Sequence, residues 1–300
     1  MKTALAWKHH YAKERAELGA AGLRALVERA PDVALPGHGA LVFPHTHLRS
    51  SGHFVAAVAR AVVRSGREEV LALGVLHGAR EEDAALVAAA RAGEPAARER
   101  LRRVHAPSGH ASEEFSLDGF TALLAAAAEV EGRAAPRLVA RYPFLVGAEP
   151  WTLPGTGELL ELGERGAALV ATADPIHHGA GYGTPREAWL RREDARPLAR
   201  ATIERSLGLL SRFELEAFAK DAQEVRSDFR DAGPVLAWLL RSEGSPRGGA
   251  PRGGTGAKPP NSRGALRAAV LDLDLADYAA TLDAPDPTWV AGALTCFEAA

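Results

Sequence analysis

Three histidines stand out by their settings: His45 in Pro44-His45-Thr46-His47, His77 in Gly74-Val75-Leu76-His77-Gly78, and His177 in Asp174-Pro175-Ile176-His177-His178-Gly179. Neutral imidazole ligates transition metals and also exchanges protons near neutral pH, so three gathered in one polar pocket would supply both kinds of chemistry. His45 and His47 are two apart, a spacing that puts both on one side of an extended chain, where they can address a single ion. The glycines around His77 let the backbone approach closely and leave the imidazole exposed at a strand end. The third segment adds an acid, paired histidines and Tyr182 after a glycine-rich turn. It offers a general acid or base, an orienting carboxylate and a phenolic hydrogen bond. Asp228 and Asp231 flank Arg230 ahead of a helix. Such acids commonly cap a helix, but a carboxylate is also what two histidines need to complete the facial triad of non-haem iron(II). Glu113, Glu114 and Asp118, after Ser112, read as capping and dipole compensation.

These residues need elements to hold them. Residues 11–30 place Leu18, Leu23, Leu26 and Val27 at helical spacing, closed by Pro31. Ala40 to Phe43, Glu69 to Leu73 and Ala167 to Thr172 are short apolar runs, each followed by a polar or glycine-rich loop. Helical patterns cover His53 to Arg64 and Arg80 to Ala92. Alternating strand and helix predicts an α/β fold with a largely parallel sheet covered on both faces. Ligands bind beyond the carboxyl ends of strands in such sheets, and each of the three histidines lies within about five residues of a predicted strand end. Further helices are expected at Phe115 to Glu129, Glu187 to Arg192, Ala195 to Ser211, Phe213 to Ala222 and Pro234 to Arg241, and a strand at Arg137 to Val146. Residues 242–264 are rich in Gly, Pro, Ser and Arg without periodicity, the composition of a disordered loop inside one domain spanning 1–300. The segment beyond it alternates like two strands that return to the main sheet.

The chain has 300 residues, 36 basic and 38 acidic, with a formal net charge of -2. That balance gives no electrostatic reason to expect nucleic acid or an anionic membrane as partner, and a small-molecule ligand is the default. The single cysteine, Cys296, excludes an intramolecular disulfide and a Cys-rich zinc site. With no apolar stretch of spanning length and no secretory leader in the opening residues, a soluble cytoplasmic protein is expected, and a homo-oligomer is compatible with the sequence.

In order, the motifs resemble the MEMO family, which is similar to the class III extradiol ring-cleaving dioxygenases. PHTHLRSSG at 44–52 resembles the family's Pro-His-Ala-Gly-Tyr-x-Tyr-Ser-Gly, and GVLHG at 74–78 its Gly-Pro-Ser-His-His element. EFSLD at 114–118 resembles Glu-His-Ser-Leu-Glu, and TADPIHHG at 172–179 resembles Ser-Ser-Asp-Phe-Ser-His-Tyr-Gly. The resemblance spans most of the chain. It implies a three-layer α/β/α sandwich with a mainly parallel central sheet. It also implies that His45 and His77 are metal ligands, and that Asp174 and His177 line the pocket with His177 as acid/base. Where many family members carry a cysteine, Asp228 stands here, with Asp231 as the alternative third ligand. LRSS replaces an aromatic-rich stretch and brings Arg49 into play for an anionic or polar substrate group, while Phe115 replaces a polar histidine.

The leading expectation is an iron(II)-dependent oxygenase in which His45, His77 and Asp228 hold the metal, with copper or zinc as alternatives. The partners would be a small metal-chelating, catechol-like diol and dioxygen, with His47, Arg49, His178 and Tyr182 shaping the substrate site. Two other readings stand beside it: a metal- or ligand-binding protein without turnover, and a zinc hydrolase led by His45 and His47.

Overall fold

A computed structural model describes residues 3–78, 81–101, 113–242 and 266–299. In chain order, the first half comprises α1 (Ala4–Arg29), β1 (Gly39–Phe43), α2 (Leu48–Arg64), β2 (Glu69–Leu73), α3 (Glu81–Arg91), α4 (Pro95–Leu101), α5 (Asp118–Glu131) and β3 (Arg137–Arg141). The second comprises α6 (Thr156–Glu164), β4 (Ala168–Thr172), β5 (Ile176–Gly179), α7 (Arg192–Ser211), α8 (Leu215–Glu224), α9 (Phe229–Ser242), β6 (Leu266–Asp277), α10 (Ala279–Leu282) and β7 (Thr288–Ala299).

The fold is mixed α/β around one seven-stranded sheet in the order β3-β2-β4-β1-β7-β5, with β6 also on β7. The strands β3, β2, β4 and β1 pair in parallel, while β7 runs antiparallel to β1, β5 and β6. Because β6 pairs along nearly the whole of β7, β1 and β5 share the other edge of that strand at its two ends. Alternate residues of the parallel strands serve two separate apolar clusters. Leu41, Phe43, Val70 and Val170 join α2 and α5 in one, and Val42, Leu71, Leu73 and Leu169 join α9 and its neighbours in the other. This is why those strands read as continuous apolar runs: both faces are covered.

Several elements depart from the sequence expectation for local reasons. The third parallel strand stops at Arg141 because Pro143 has no N–H to continue a ladder. The segment expected as a helix at Glu187 to Arg192 forms only a short 3-10 turn over Arg186–Ala188. Helix α2 begins at Leu48, five residues early, because the Glu14 carboxylate of α1 accepts the Leu48 and Arg49 N–H groups at 3.0 Å each. That cap comes from more than thirty residues upstream in α1 and has no local signature. Segment 176–179, expected as part of a loop, is the short strand β5, which acquires its ladder from β7 far along the chain. The expected loop at 242–264 lies outside the described residues apart from Ser242, which ends α9. No helix among the described residues is long and apolar enough to cross a membrane.

Gly179 ends β5 with φ 101°, and a Cβ there would fall 1.8 Å from the Pro287 carbonyl oxygen. Gly179→Ala therefore forces both a left-handed side-chain residue and a backbone displacement. The expected loss is about 3 kcal/mol of folding stability by urea titration. A change within a few tenths of a kcal/mol would show that the two strands are not tightly apposed there.

Candidate metal centre

The carboxyl ends of β1, β2 and β4 deliver His45, His77 and Asp174 to one place, as the strand-end rule anticipates. His77 is clamped there by the segment before α5. The Glu114 carboxylate accepts the His77 main-chain N–H at 2.8 Å and lies 3.0 Å from its Nδ1, while Ser116 Oγ bonds both the N–H and the carbonyl of Val75. Asp228 arrives from the turn before α9. That turn is stitched to the β5 segment by His177 N–H to Val225 O at 3.2 Å and Asp228 N–H to Asp174 O at 3.1 Å.

The tautomers follow from the partners of each Nδ1. Thr172 Oγ1 spends its single hydrogen on the Phe43 carbonyl, so it can only accept from His45 Nδ1–H at 3.3 Å. His177 Nδ1–H donates to the Arg226 carbonyl at 2.7 Å, and His77 Nδ1–H to Glu114. In all three neutral rings Nε2 is then a bare acceptor. Yet His45 Nε2 lies 3.2 Å from His77 Nε2 and 3.3 Å from Asp228 Oδ2. Asp228 Oδ2 is also 3.8 Å from His77 Nε2 and 3.5 Å from His177 Nε2. Acceptors that converge in this way need a shared proton or a metal ion among them.

Two cations can answer that demand. Without a metal it is a proton. Burial alone would lower the His77 pKa, but hydrogen bonds and charge from Asp228 and Glu114 outweigh it and raise it to about 10. Burial likewise opposes ionisation of Asp228, yet the facing imidazoles of His177, His45 and His77 hold its carboxyl well below the usual range. The alternative is a metal. Three ligands about 2.1 Å from one ion and about 90–110° apart would be separated by roughly 3.0–3.5 Å, close to the spacing of His45, His77 and Asp228. These three could hold a metal, and Asp174, His177 and Asp228 form an overlapping second group. The carboxylate behind His77 and the hydroxyl behind His45 are the partners that orient metal-binding imidazoles.

Asp174, expected to orient His177 or neighbouring backbone, is buried and does the second. Its Oδ1 accepts the His45 main-chain N–H at 3.0 Å, so it fixes the His45 loop. Tyr182 lines the pocket with its ring edge-on to His177 at 4.8 Å. His178, next along β5, points to the opposite side: its Nε2 accepts the Leu190 N–H and its ring stacks on Trp289. His47 lies behind the pocket wall, its ring tilted against Tyr278 at 4.6 Å and beside Glu14 at 3.8 Å, and belongs to neither metal-capable group. Arg49 is exposed on α2 and pairs with Glu17 at 3.0 Å, away from the pocket. Asp231 accepts the Val146 N–H at 2.8 Å, which commits one of its oxygens to a loop.

The pocket encloses about 460 Å³. Its walls include Trp7 and Tyr11 from α1, Phe115, Tyr182 and Tyr278, with Arg226 and Arg230 also lining it. Phe115, which stands where the resemblance expects a histidine, stacks on His77 at 4.3 Å and holds the ring in place. Glu114, Thr172, Arg226 and the α1 aromatics were not singled out for the site from the sequence. Glu114 and Thr172 did have local signals, as the first residues of the EFSLD and TADPIHHG resemblances, but the capping reading of Glu114 concealed it and Thr172 lay inside a strand.

Two measurable consequences follow. Glu114→Gln is expected to weaken divalent-metal binding by about 10–100-fold, because the amide cannot hold His77 as a paired carboxylate does. Competition with a chromogenic chelator measures this, and unchanged affinity would remove Glu114 from the centre. In metal-free protein, His77 titrates near 6.5 when unfolded and about 10 when folded. Its stabilising contribution is therefore full below about pH 6.5 and lost as pH rises through 10. Thermal midpoints of metal-free protein should lose this contribution over that window, with a shallower decline in His77→Ala.

Compared with known proteins, the chain matches no family model and no curated protein.

Proposed function

We propose that this chain is a non-haem iron(II)-dependent oxygenase of the MEMO and extradiol dioxygenase type, acting on a small, metal-chelating aromatic diol. The observation that carries the reading is the convergence of His45 Nε2, His77 Nε2 and Asp228 Oδ2, each histidine having its N–H committed elsewhere, in a pocket with aromatic walls. Two histidines and one carboxylate are the ligand set of non-haem iron(II) oxygenases and leave positions open for further ligands. Bound there, iron(II) would supply Lewis acidity toward a chelating diol and electron transfer with dioxygen.

The chain's own residues supply the rest. His177 presents Nε2 as a proton acceptor because Nδ1–H is held by the Arg226 carbonyl. Asp174 fixes the backbone that carries His45. Tyr11, Phe115 and Tyr182 give an aromatic ring apolar contact and exclude water around the ligands. The covering of both sheet faces supports the finer architecture proposed for the fold, a three-layer α/β/α sandwich.

The test is anaerobic reconstitution with iron(II), metal analysis, and dioxygen uptake with a panel of catechols. Stoichiometric iron and diol-dependent uptake are expected. Iron binding without uptake above the His45→Ala background would favour a binding protein without turnover. Zinc preference with ester or amide hydrolysis would replace the oxygenase reading altogether.

A further inference from the structure

We propose a second binding site at the far end of α9, separate from the metal centre, that takes an aromatic α-amino acid as its zwitterion. A cavity of about 580 Å³ opens there between the α7–α8 turn, the start of α8, the loop ahead of α6 and the last turn of α9. It is larger than the histidine pocket and shares no lining residue with it. Asp228 and Arg241 stand at opposite ends of α9, about 20 Å apart at roughly 1.5 Å per helical residue.

The cation in this cavity is unanswered. The Arg241 guanidinium makes one hydrogen bond, from Nη2 to the Ser211 carbonyl at 3.0 Å, and enters no ion pair among the described residues. Its Nε is buried without a hydrogen-bond partner, and burial lowers its pKa with no carboxylate to offset the effect. A partly buried charge without a counter-ion is costly, and a planar fork of N–H donors is matched best by a carboxylate. The walls beside it are aromatic. Arg241 lies over the Phe213 ring at 5.1 Å, and Phe213 stacks on Trp151 at 6.1 Å.

Phe213 is held there at a cost. The N–H groups of Phe213 and Glu214 return to the Leu210 and Leu209 carbonyls at 2.9 Å each, the hydrogen-bond pattern of a helix end that usually carries glycine. Phe213 instead adopts the left-handed conformation, φ 63°, with a full side chain. Glycine would close α7 more cheaply but would leave the cavity without this ring.

The remaining charges give the polarity of the ligand. Arg212 and Glu214 neutralise each other at 2.7 Å, whereas Glu149 and Glu216, which line the same cavity, are exposed and enter no ion pair among the described residues. A simple anion would gain Arg241 and be repelled by these carboxylates, and a simple cation would gain the carboxylates and leave Arg241 unanswered. A zwitterion satisfies both, while an aromatic side chain fills the space against Trp151 and Phe213.

The test is calorimetry on the full chain with a chelator present, so that no metal contributes to binding. L-tryptophan is compared with tryptamine, which lacks the carboxylate, and with indole-3-propionate, which lacks the ammonium. Wild type should bind tryptophan about tenfold more tightly than tryptamine, the worth of one charge-assisted hydrogen bond. It should bind tryptophan about threefold more tightly than indole-3-propionate, a smaller ratio because the two glutamates are exposed and screened. Arg241→Met should bring the first ratio to within about twofold and leave the second, since it removes the donors alone. Glu149→Gln combined with Glu216→Gln should abolish the second ratio and leave the first. Both of these changes are on exposed side chains, so they keep the test decisive if Arg241→Met does not fold. Absence of tryptophan binding, equal binding of tryptophan and either analogue by wild type, or ratios unchanged in the variants overturns the proposal.

Discussion

His45→Ala is expected to lower divalent-metal affinity by about a hundredfold and to bring diol-dependent dioxygen uptake to background. Structural zinc sites are worth roughly 10–16 kcal/mol over about four ligands, so one ligand carries on the order of 3 kcal/mol. The same substitution should not destabilise metal-free protein in proportion. It removes one of the facing acceptors, since His45 Nε2 stands 3.2 Å from His77 Nε2 with its own N–H turned to Thr172. The contrast between metal-loaded and metal-free stability distinguishes a ligand from an ordinary buried histidine. Asp228→Asn should behave alike, replacing the carboxylate that faces all three imidazoles with a neutral amide. Full metal occupancy in both variants would remove the metal centre from consideration. A metal-free stability loss as large as the metal-loaded one would make the cluster structural.

His177→Gln is expected to do the reverse: metal content stays near wild type while turnover falls by about 10²–10⁴-fold, the usual worth of a positioned acid or base. Two features motivate the separation. His177 is absent from the His45, His77 and Asp228 group, and its Nδ1–H is held by a main-chain carbonyl, which leaves Nε2 as an acceptor 3.5 Å from Asp228. Glutamine can retain a hydrogen bond but cannot shuttle a proton. The decisive readout is the pair of iron content and turnover measured on the same preparation. If iron falls with activity, His177 is a ligand, and the overlapping group with Asp174 and Asp228 becomes the centre. If neither falls, His177 is not the proton acceptor of the reaction.

The two substitutions separate binding from chemistry, and Glu114→Gln completes the comparison. Glu114 should affect metal affinity first and turnover only through it, because its contacts are with His77 and the neighbouring main chain. Asp174 is expected to resemble Glu114 more than His177, since it holds the His45 backbone.

The sequence by itself determined the parts that depend on local pattern. Continuous apolar runs at residues 40–43, 69–73 and 167–172 could only be strands covered on both faces, and the polar loops after them had to open at one sheet edge. That was enough to bring His45 and His77 toward a common point, while Asp228 as their carboxylate, with Asp231 as the alternative, came from the family resemblance. Tertiary structure decided everything set by partners distant in the chain. The strand at Ile176–Gly179 exists because β7, more than a hundred residues later, supplies its ladder, and that pleat turns His177 toward Asp228 while sending His178 to Trp289. Glu14 starts α2 early and carries Arg49 out to Glu17, so the arginines that line the pocket are Arg226 and Arg230 instead. Glu114, Thr172 and the Arg226 carbonyl fix which nitrogen of each histidine faces inward. Periodicity can report which face of an element is buried. It cannot report which distant hydrogen bond sets a tautomer, and here that decides whether three histidines and an aspartate demand a cation.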